Sequence, residues 1–420
     1  SGFFRSVGPE DQGFGAPLTS YRPTGIEIHK YHRWAIKCLT KIILNDEGRD
    51  VRMEAKKAFA ERICALIRTG YIDSVSNAVD QILKKNCSFW PEAFEAVIKA
   101  LHLDFQDYPE GYLEKVEALR RKLEPSSLKD KIVFYISEGS WALYGLNTKE
   151  DSTRQREKIA EDLAREVFEN LEELYNLLPV LLAGDQHLTY TFGLKLSELL
   201  IDYKAFGYKI LDLMRQQNPQ RLDVSLLGAV IATSDSRKDG FCNEILDCIA
   251  SDPSLSKFLL AISIYKQIDE KDSERLITSL RKGAIDVQEF RRLGWSGAIR
   301  SLPTDAMIGL LEELLCIGPQ GAPVVLDIIY SQGYGKDESK RFAGFEKIIL
   351  KTIDVIVENI DNLSQNDGYQ LKEIMEWMLK NSEFKNESLE VFLKGVENIC
   401  NAENYNQYMP EILKDLIPRF

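Results

Sequence analysis

The chain of 420 residues is 44% apolar and 28% charged, the balance of a folded protein, so disorder is not its default. Its 53 basic and 65 acidic side chains leave a formal charge of −12, which argues against a general binder of nucleic-acid backbone and leaves room only for a local basic face. No run approaches the roughly 18 apolar residues a membrane helix needs, because the richest stretch, LYNLLPVLLAG, is broken by Pro179 and Gly184.

The start, Ser1-Gly2, shows no Met, no basic n-region and no apolar h-region, so no signal peptide is read in it, and the opening suggests an excised piece or a cleaved tag. Residues 1–25 are rich in Gly, Pro and Ser with Phe3, Phe4 and Phe14, and are expected to form an extended arm or linker. Residues 26–145 read as an irregular helical N-terminal region. Trp34, Cys38 and Ile42, then Phe59, Ile63, Leu66 and Ile67, mark two amphipathic faces, and basic residues outnumber acidic ones between Lys30 and Arg68. His29 and His32 share a helix side but lack a third ligand, so no metal site is expected.

Pro125-Ser126-Ser127 supplies a turn and a cap before Leu128, Ile132, Tyr135 and Ile136. A polar loop is expected over 146–158, with Trp141 and Tyr144 tucked against the core before it. One helix is then predicted through Leu163, Val167, Leu171 and Leu174, stopping at Pro179 and Gly184.

Residues 159–335 are expected to form HEAT-like helical repeats. The segments SLLGAVIA from Ser225, SKFLLAISI from Ser256 and QEFRRLGWSGAIRSL from Gln288 start 31 and 32 residues apart. Their companions, EILDCIA from Glu244, RLITSLRKG from Arg275 and IGLLEELLCIG from Ile308, start 31 and 33 apart. Met307, Leu310, Leu311, Leu314 and Leu315 follow helical spacing, and Gly318-Pro319 is a stop. Such pairs bury their apolar faces only by stacking on neighbours. Residues 336–420 are read as an acidic helical cap, with sixteen acidic and ten basic side chains from Asp337 to Phe420. Within it Phe342 to Ile360, Leu371 to Met378, Leu389 to Val396 and Ile412 to Ile417 mark amphipathic helices. The fold class is therefore all-α, a HEAT-like α-solenoid of antiparallel helix pairs.

Chemistry-bearing patterns are scarce. The seven cysteines, among them Cys87 and Cys400, lack C-x-x-C spacing and read as buried thiols in a reducing cytoplasm. GYGKDESK from Gly333 fails as a phosphate loop, because Tyr330 stands where the first Gly belongs and Asp337 follows Lys336. The four histidines sit in no nucleophile context; Asp185 and His187 read equally as a hydrogen-bonded pair or as a turn residue and a polar cap. No catalytic residue, cofactor or metal is assigned. The suggestive cluster is Arg291, Arg292, Trp295 and Arg300, extended by Tyr330 and Tyr334, since Arg and Trp anchor interfaces. Arg291 and Trp295, four apart, could stack; alternatively Trp295 plugs the seam between repeats while the arginines satisfy Asp272, Glu274, Asp286 or Glu289.

EPSSLKDKIVFYI and LLPVLLAGDQHLTYTFGLKLSELL resemble segments of the C-terminal helical regions of large bacterial NTPases, including STAND-type antiviral proteins. The resemblance implies that residues 112–420 are a sensor recognising a protein, with the nucleotide-binding module elsewhere; the chain has no Walker A motif. A protein-recognition or scaffold role follows, cytoplasmic and without a membrane partner. The rivals are a nucleic-acid-binding helical repeat of DNA-glycosylase type, which sets Trp and Asp against a duplex, and an enzyme of unrecognised class.

Overall fold

The computed structural model describes residues 24–45, 48–85, 89–103, 111–137, 152–359 and 364–388, with 390, 391 and 393. These are helical, with no strand among them. They divide into two compact units, residues 1–126 and 127–420.

In the first unit, α1 Gly25–Leu44, α2 Arg49–Arg68, α3 Ile72–Lys85, α4 Pro91–Leu103 and α5 Tyr112–Leu123 form two rows. Helices α1, α3 and α5 pack in one row, and α2 packs on α4 in the other. A capping box starts α1, with the Thr24 amide donating to Glu27 at 2.8 Å. The buried seam is built from Phe59, Ile63, Ile67, Val75, Ile82 and Trp90. The face of α1 differs from expectation: Ile36, Thr40 and Ile43 are buried, whereas Trp34 is 61% exposed. Trp34 lies 100° around the helix from its neighbours, on the arc that holds the lysines.

The second unit opens at Ser127, whose hydroxyl accepts from the Asp130 amide at 3.1 Å to cap α6 Leu128–Lys131, continued by a π-helical turn Ile132–Ser137. There follow α7 Ser152–Phe168, α8 Leu171–Leu181, α9 Thr189–Leu199, α10 Tyr203–Gln216, α11 Ser225–Arg237 and α12 Phe241–Ser251. After them come α13 Leu259–Ser263, α14 Glu270–Arg281, α15 Arg291–Ser296, α16 Thr304–Cys316, α17 Ala322–Gln332, α18 Glu346–Glu358 and α19 Gln365–Asn381. From α7 onward odd helices pack on odd and even on even, the two-layer pattern of a HEAT-like α-solenoid.

The repeat is written in the lateral hydrogen bonds. Between Asn243 and Glu373 several side chains that bridge successive pairs span one repeat in sequence; others run longer, Lys351 to Glu312 by 39 residues and, earlier in the chain, Tyr208 to Glu244 by 36. Arg275 to Asn243, Arg281 to Glu313, Gln288 to Gln320, Trp295 to Asp327 and Arg341 to Glu373 all span 32 residues. In the first unit the corresponding bonds run from Lys85 to Leu44, 41 residues, to Lys122 to Ser76, 46 residues. It does not share the later period.

Several local expectations change. The chain divides between Ser126 and Ser127, and α7 already begins at Ser152, inside the stretch expected to be a polar loop. The single helix expected from Ile159 is two, because Asn170 accepts from the Glu173 amide and starts α8. Pro179 lies inside α8, not at its end; it forfeits one hydrogen bond, and burial of Leu177, Leu178 and Leu181 carries the helix two residues further. Among the described cysteines Cys242 alone is buried; Cys38, Cys64 and Cys248 are half-buried and Cys316 is exposed. Residues 1–23, Cys87, Trp141, Tyr144, Ile360, Leu389, Phe392, Val396, Cys400 and the expected 412–417 helix lie outside the described residues.

One turn shows how neighbouring pairs are locked. Asp239, between α11 and α12, accepts from the Ser234 hydroxyl at 2.7 Å, from the Phe241 amide at 3.1 Å and from the Tyr203 hydroxyl of α10. Burial pushes its carboxyl up, but the hydrogen bonds outweigh it and hold it at about 2, while burial and Asp239 push Tyr203 up to about 12. A depressed folded-state carboxyl contributes stability that is present above the unfolded value of about 3.9 and is lost as pH falls toward 2. Asp239→Asn is therefore expected to lower stability by about 1 kcal/mol at neutral pH, discounted for partial exposure. Thermal melts should show the gap between variant and parent closing between about pH 4 and pH 2; a gap independent of pH would contradict the assignment.

Candidate partner-binding surface

The predicted cluster begins where Asp286 accepts from the Gln288 amide at 2.8 Å and caps a 3-10 turn, Val287–Phe290, that leads into α15. The helix lasts six residues and stops at Gly297, whose φ of +72° suits glycine. Gly294 faces α17 so closely that a Cβ there would lie 2.8 Å from the Ser331 hydroxyl. This approach carries Arg291 and Trp295 to Asp327, a buried carboxylate in the middle of α17.

Three side chains converge on that carboxylate. The Trp295 indole N–H donates to Asp327 at 3.3 Å, the Gln370 amide donates to its other oxygen at 2.6 Å, and an Arg291 Nη1 lies 3.8 Å away. The same Nη1 donates to Asp367 at 2.9 Å, and Arg291 Nε donates to Gln288 at 3.1 Å. Asp367 is the N3 residue of the capping box that starts α19, accepting from the Ser364 amide at 3.0 Å and hydroxyl at 2.7 Å. Two buried carboxylates, one guanidinium and one indole thus join α15, α17 and α19. Burying either carboxylate would be unfavourable without these donors.

The expected stacking of Arg291 on Trp295 is not among the described cation–π pairs; both side chains turn to Asp327 instead. Trp295 neither plugs the seam nor floats in solvent. It is 60% exposed, with only its N–H tied down. Arg292 is exposed and pairs with Glu289 at 3.0 Å, as the plainer expectation had it. Its charge also bears on Tyr265, which bonds Ser225 at 3.1 Å and packs on Tyr190 with ring centroids 4.9 Å apart. Arg300 is exposed and folds over Gly297. Tyr334 is exposed, but Tyr330 is buried and does not extend the surface: its ring packs on Phe342 and Tyr369, with Arg341 5.1 Å from its centroid.

Asp327, Asp367, Gln370 and Tyr265 were not singled out from sequence. One signal existed. A charged residue inside APVVLDIIY either breaks the helix or is buried with partners.

A second buried ion network lies at the start of α14. Asp272, again the N3 residue of a capping box, accepts from Arg275 at 2.5 Å and contacts Lys266. Arg275 also donates to Asp247 at 2.7 Å and to Asn243 at 3.1 Å. Burial acts to lower the Lys266 ammonium, but Asp272 outweighs it and holds it above its usual value. An open cleft of about 680 Å³ borders this network.

Elsewhere the expected chemistry resolves into structure. Asp337 accepts from the Ser339 amide at 3.0 Å and hydroxyl at 2.9 Å, capping a short 3-10 turn Glu338–Lys340, so the GYGK stretch is a capped turn. His29 bonds the Tyr71 hydroxyl through Nδ1, and His32 meets the same ring edge-on at 5.1 Å. Among the described residues no group of three metal-ligating side chains occurs, and no helix is long and apolar enough to cross a membrane.

No protein-family model and no curated protein matches the chain. Among solved structures it is similar to a circular tandem repeat protein with novel repeat topology and enhanced subunit contact surfaces. Identity is 11%, 93% of this chain and 85% of that one are covered, and the TM-score is 0.21, a level that carries no inference about either protein.

Proposed function

We propose that this chain is a non-catalytic protein-recognition module that captures a protein partner on the surface around Trp295, Arg292 and Arg300. The observation that carries this reading is the posture of Trp295, whose ring is mostly exposed while its N–H is held by a buried carboxylate. An exposed indole costs solvation, and one already fixed in orientation loses little entropy on binding, which is what an interface anchor needs. In the finer form of the proposal the chain is the sensor part of a larger bacterial NTPase of antiviral type. The support for that form is the resemblance of residues 124–136 and 177–200.

The DNA-glycosylase alternative would use Trp295 and Asp327 together. Here the Asp327 side chain is 4% exposed and already serves Trp295 and Gln370, so it is poorly placed for an incoming duplex.

The test separates surface from scaffold. Trp295→Ala, and separately Arg292→Ala with Arg300→Ala, are expected to reduce partner capture while helical circular dichroism is unchanged, whereas Arg291→Ala is expected to reduce both. Full capture by the Trp295 variant would end the site assignment. For the sensor form, nucleotide turnover by the full-length protein should rise with the captured partner and fail to rise in Trp295→Ala.

A further inference from the structure

The chain's negative charge is not spread evenly. Residues 1–126 carry 19 Lys and Arg against 18 Asp and Glu, whereas residues 127–420 carry 34 against 47. Within the first unit α1 carries four basic side chains on one face. Lys30, Arg33, Lys37 and Lys41 are all exposed and fall, with Trp34, in an arc of about 100° at 3.6 residues per turn. Like charges four apart weaken a helix, and none of these four has an ion pair among the described residues. The one carboxylate on α1, Glu27, is engaged by Thr24.

Arg33, Lys37 and Lys41 form one wall of an open groove of about 500 Å³ between α1 and α3. The opposite wall presents Ser74, Asn77 and Gln81, neutral side chains that offer donors and acceptors and show no hydrogen-bond partner among the described residues. Trp34, 61% exposed, lies beside the cationic row with its ring 5.9 Å from that of Tyr31.

We infer that the basic face of α1, along the rim of this groove, binds single-stranded nucleic acid, with phosphates along Arg33, Lys37 and Lys41 and bases stacked on Trp34, on the flank of the row away from α3. The three cations step about 6 Å at a time along the helix axis, giving room for about three phosphates of an extended strand. An exposed aromatic beside a cationic track is the combination that holds bases without reading sequence. An acidic peptide would satisfy the cations but leave the aromatic pair unused. A bilayer is flat, and these cations line a cleft. A duplex needs a wide basic face, which the charge of the chain does not provide.

The test is fluorescence anisotropy of a labelled oligo(dT) with the full chain, titrated over about 50 to 200 mM salt. Binding is expected, with a log–log salt slope of about −2 for three phosphates on a single strand. Arg33→Ala with Lys37→Ala and Lys41→Ala should weaken it at least tenfold, as should Trp34→Ala. Lys37→Glu alone, a milder change to the fold, should steepen the loss relative to Lys37→Ala. Circular dichroism should be unchanged in each variant. No binding by the parent chain, or equal binding by the triple variant, overturns the inference. So does capture of a polyglutamate peptide or of phosphatidylserine vesicles through these residues with no capture of oligonucleotide.

Discussion

Asp272→Ala is expected to destabilise the chain by about 3–5 kcal/mol, the cost of removing one partner from a buried ion pair. Asp272 is fully buried, the Lys266 side chain is 2% exposed and that of Arg275 is 7% exposed. Deleting the carboxylate removes the shared partner of two buried cations and one of the two reciprocal capping bonds that start α14, the one donated by the Asp269 amide; the bond from the backbone amide of residue 272 to Asp269 is kept. Asn in its place keeps the capping acceptor but not the charge, so Asp272→Asn should fall between parent and Ala. Chemical denaturation followed by helical circular dichroism measures both. A loss below about 1 kcal/mol for Ala would mean that the cations find water, and that the network is not the structural centre it is taken to be.

Asp327→Ala is the second large effect, again about 3–5 kcal/mol, because it orphans the Gln370 amide and the Trp295 N–H and leaves Asp367 alone to neutralise Arg291. Unlike Asp272→Ala, it should also act on function. With its N–H released, Trp295 becomes a free rotor, and partner capture should fall even at a temperature where the fold is intact. Asp327→Asn retains an acceptor for the indole and should preserve more capture than stability. Equal capture by Asp327→Ala and the parent would sever the link between the buried carboxylate and the surface.

The two sites share a design. In each, the N3 carboxylate of a capping box, Asp272 or Asp367, both starts its helix and receives a cation. Helix initiation and inter-helix contact are thereby coupled through one side chain.

Sequence made much of this readable. The 31- to 33-residue recurrence from Ser225 to Ile308 reflects the step of the stack, and the same number returns in lateral bonds such as Trp295 to Asp327. Helical spacing placed Met307, Leu310, Leu311 and Leu314 in the core, where they lie. The partners of the cluster were less legible. Arg291 meets Asp367 across 76 residues, because α15 and α19 come together over one edge of α17, and no local pattern encodes that contact. Tyr330 looked like Tyr334 on paper; four residues further along, the chain has left α17, and only the first is covered by Phe342. In α1 the apolar residues misled, since Trp34 interrupts a basic face instead of completing an apolar one.

The most direct measurement is the equilibrium affinity of the captured protein partner for the parent chain and for Trp295→Ala, at matched helical content and melting temperature. A loss of about 2 kcal/mol, roughly 30-fold in Kd, is the expected result for an anchoring tryptophan. An unchanged Kd would contradict the claim that this surface is where the chain recognises its partner.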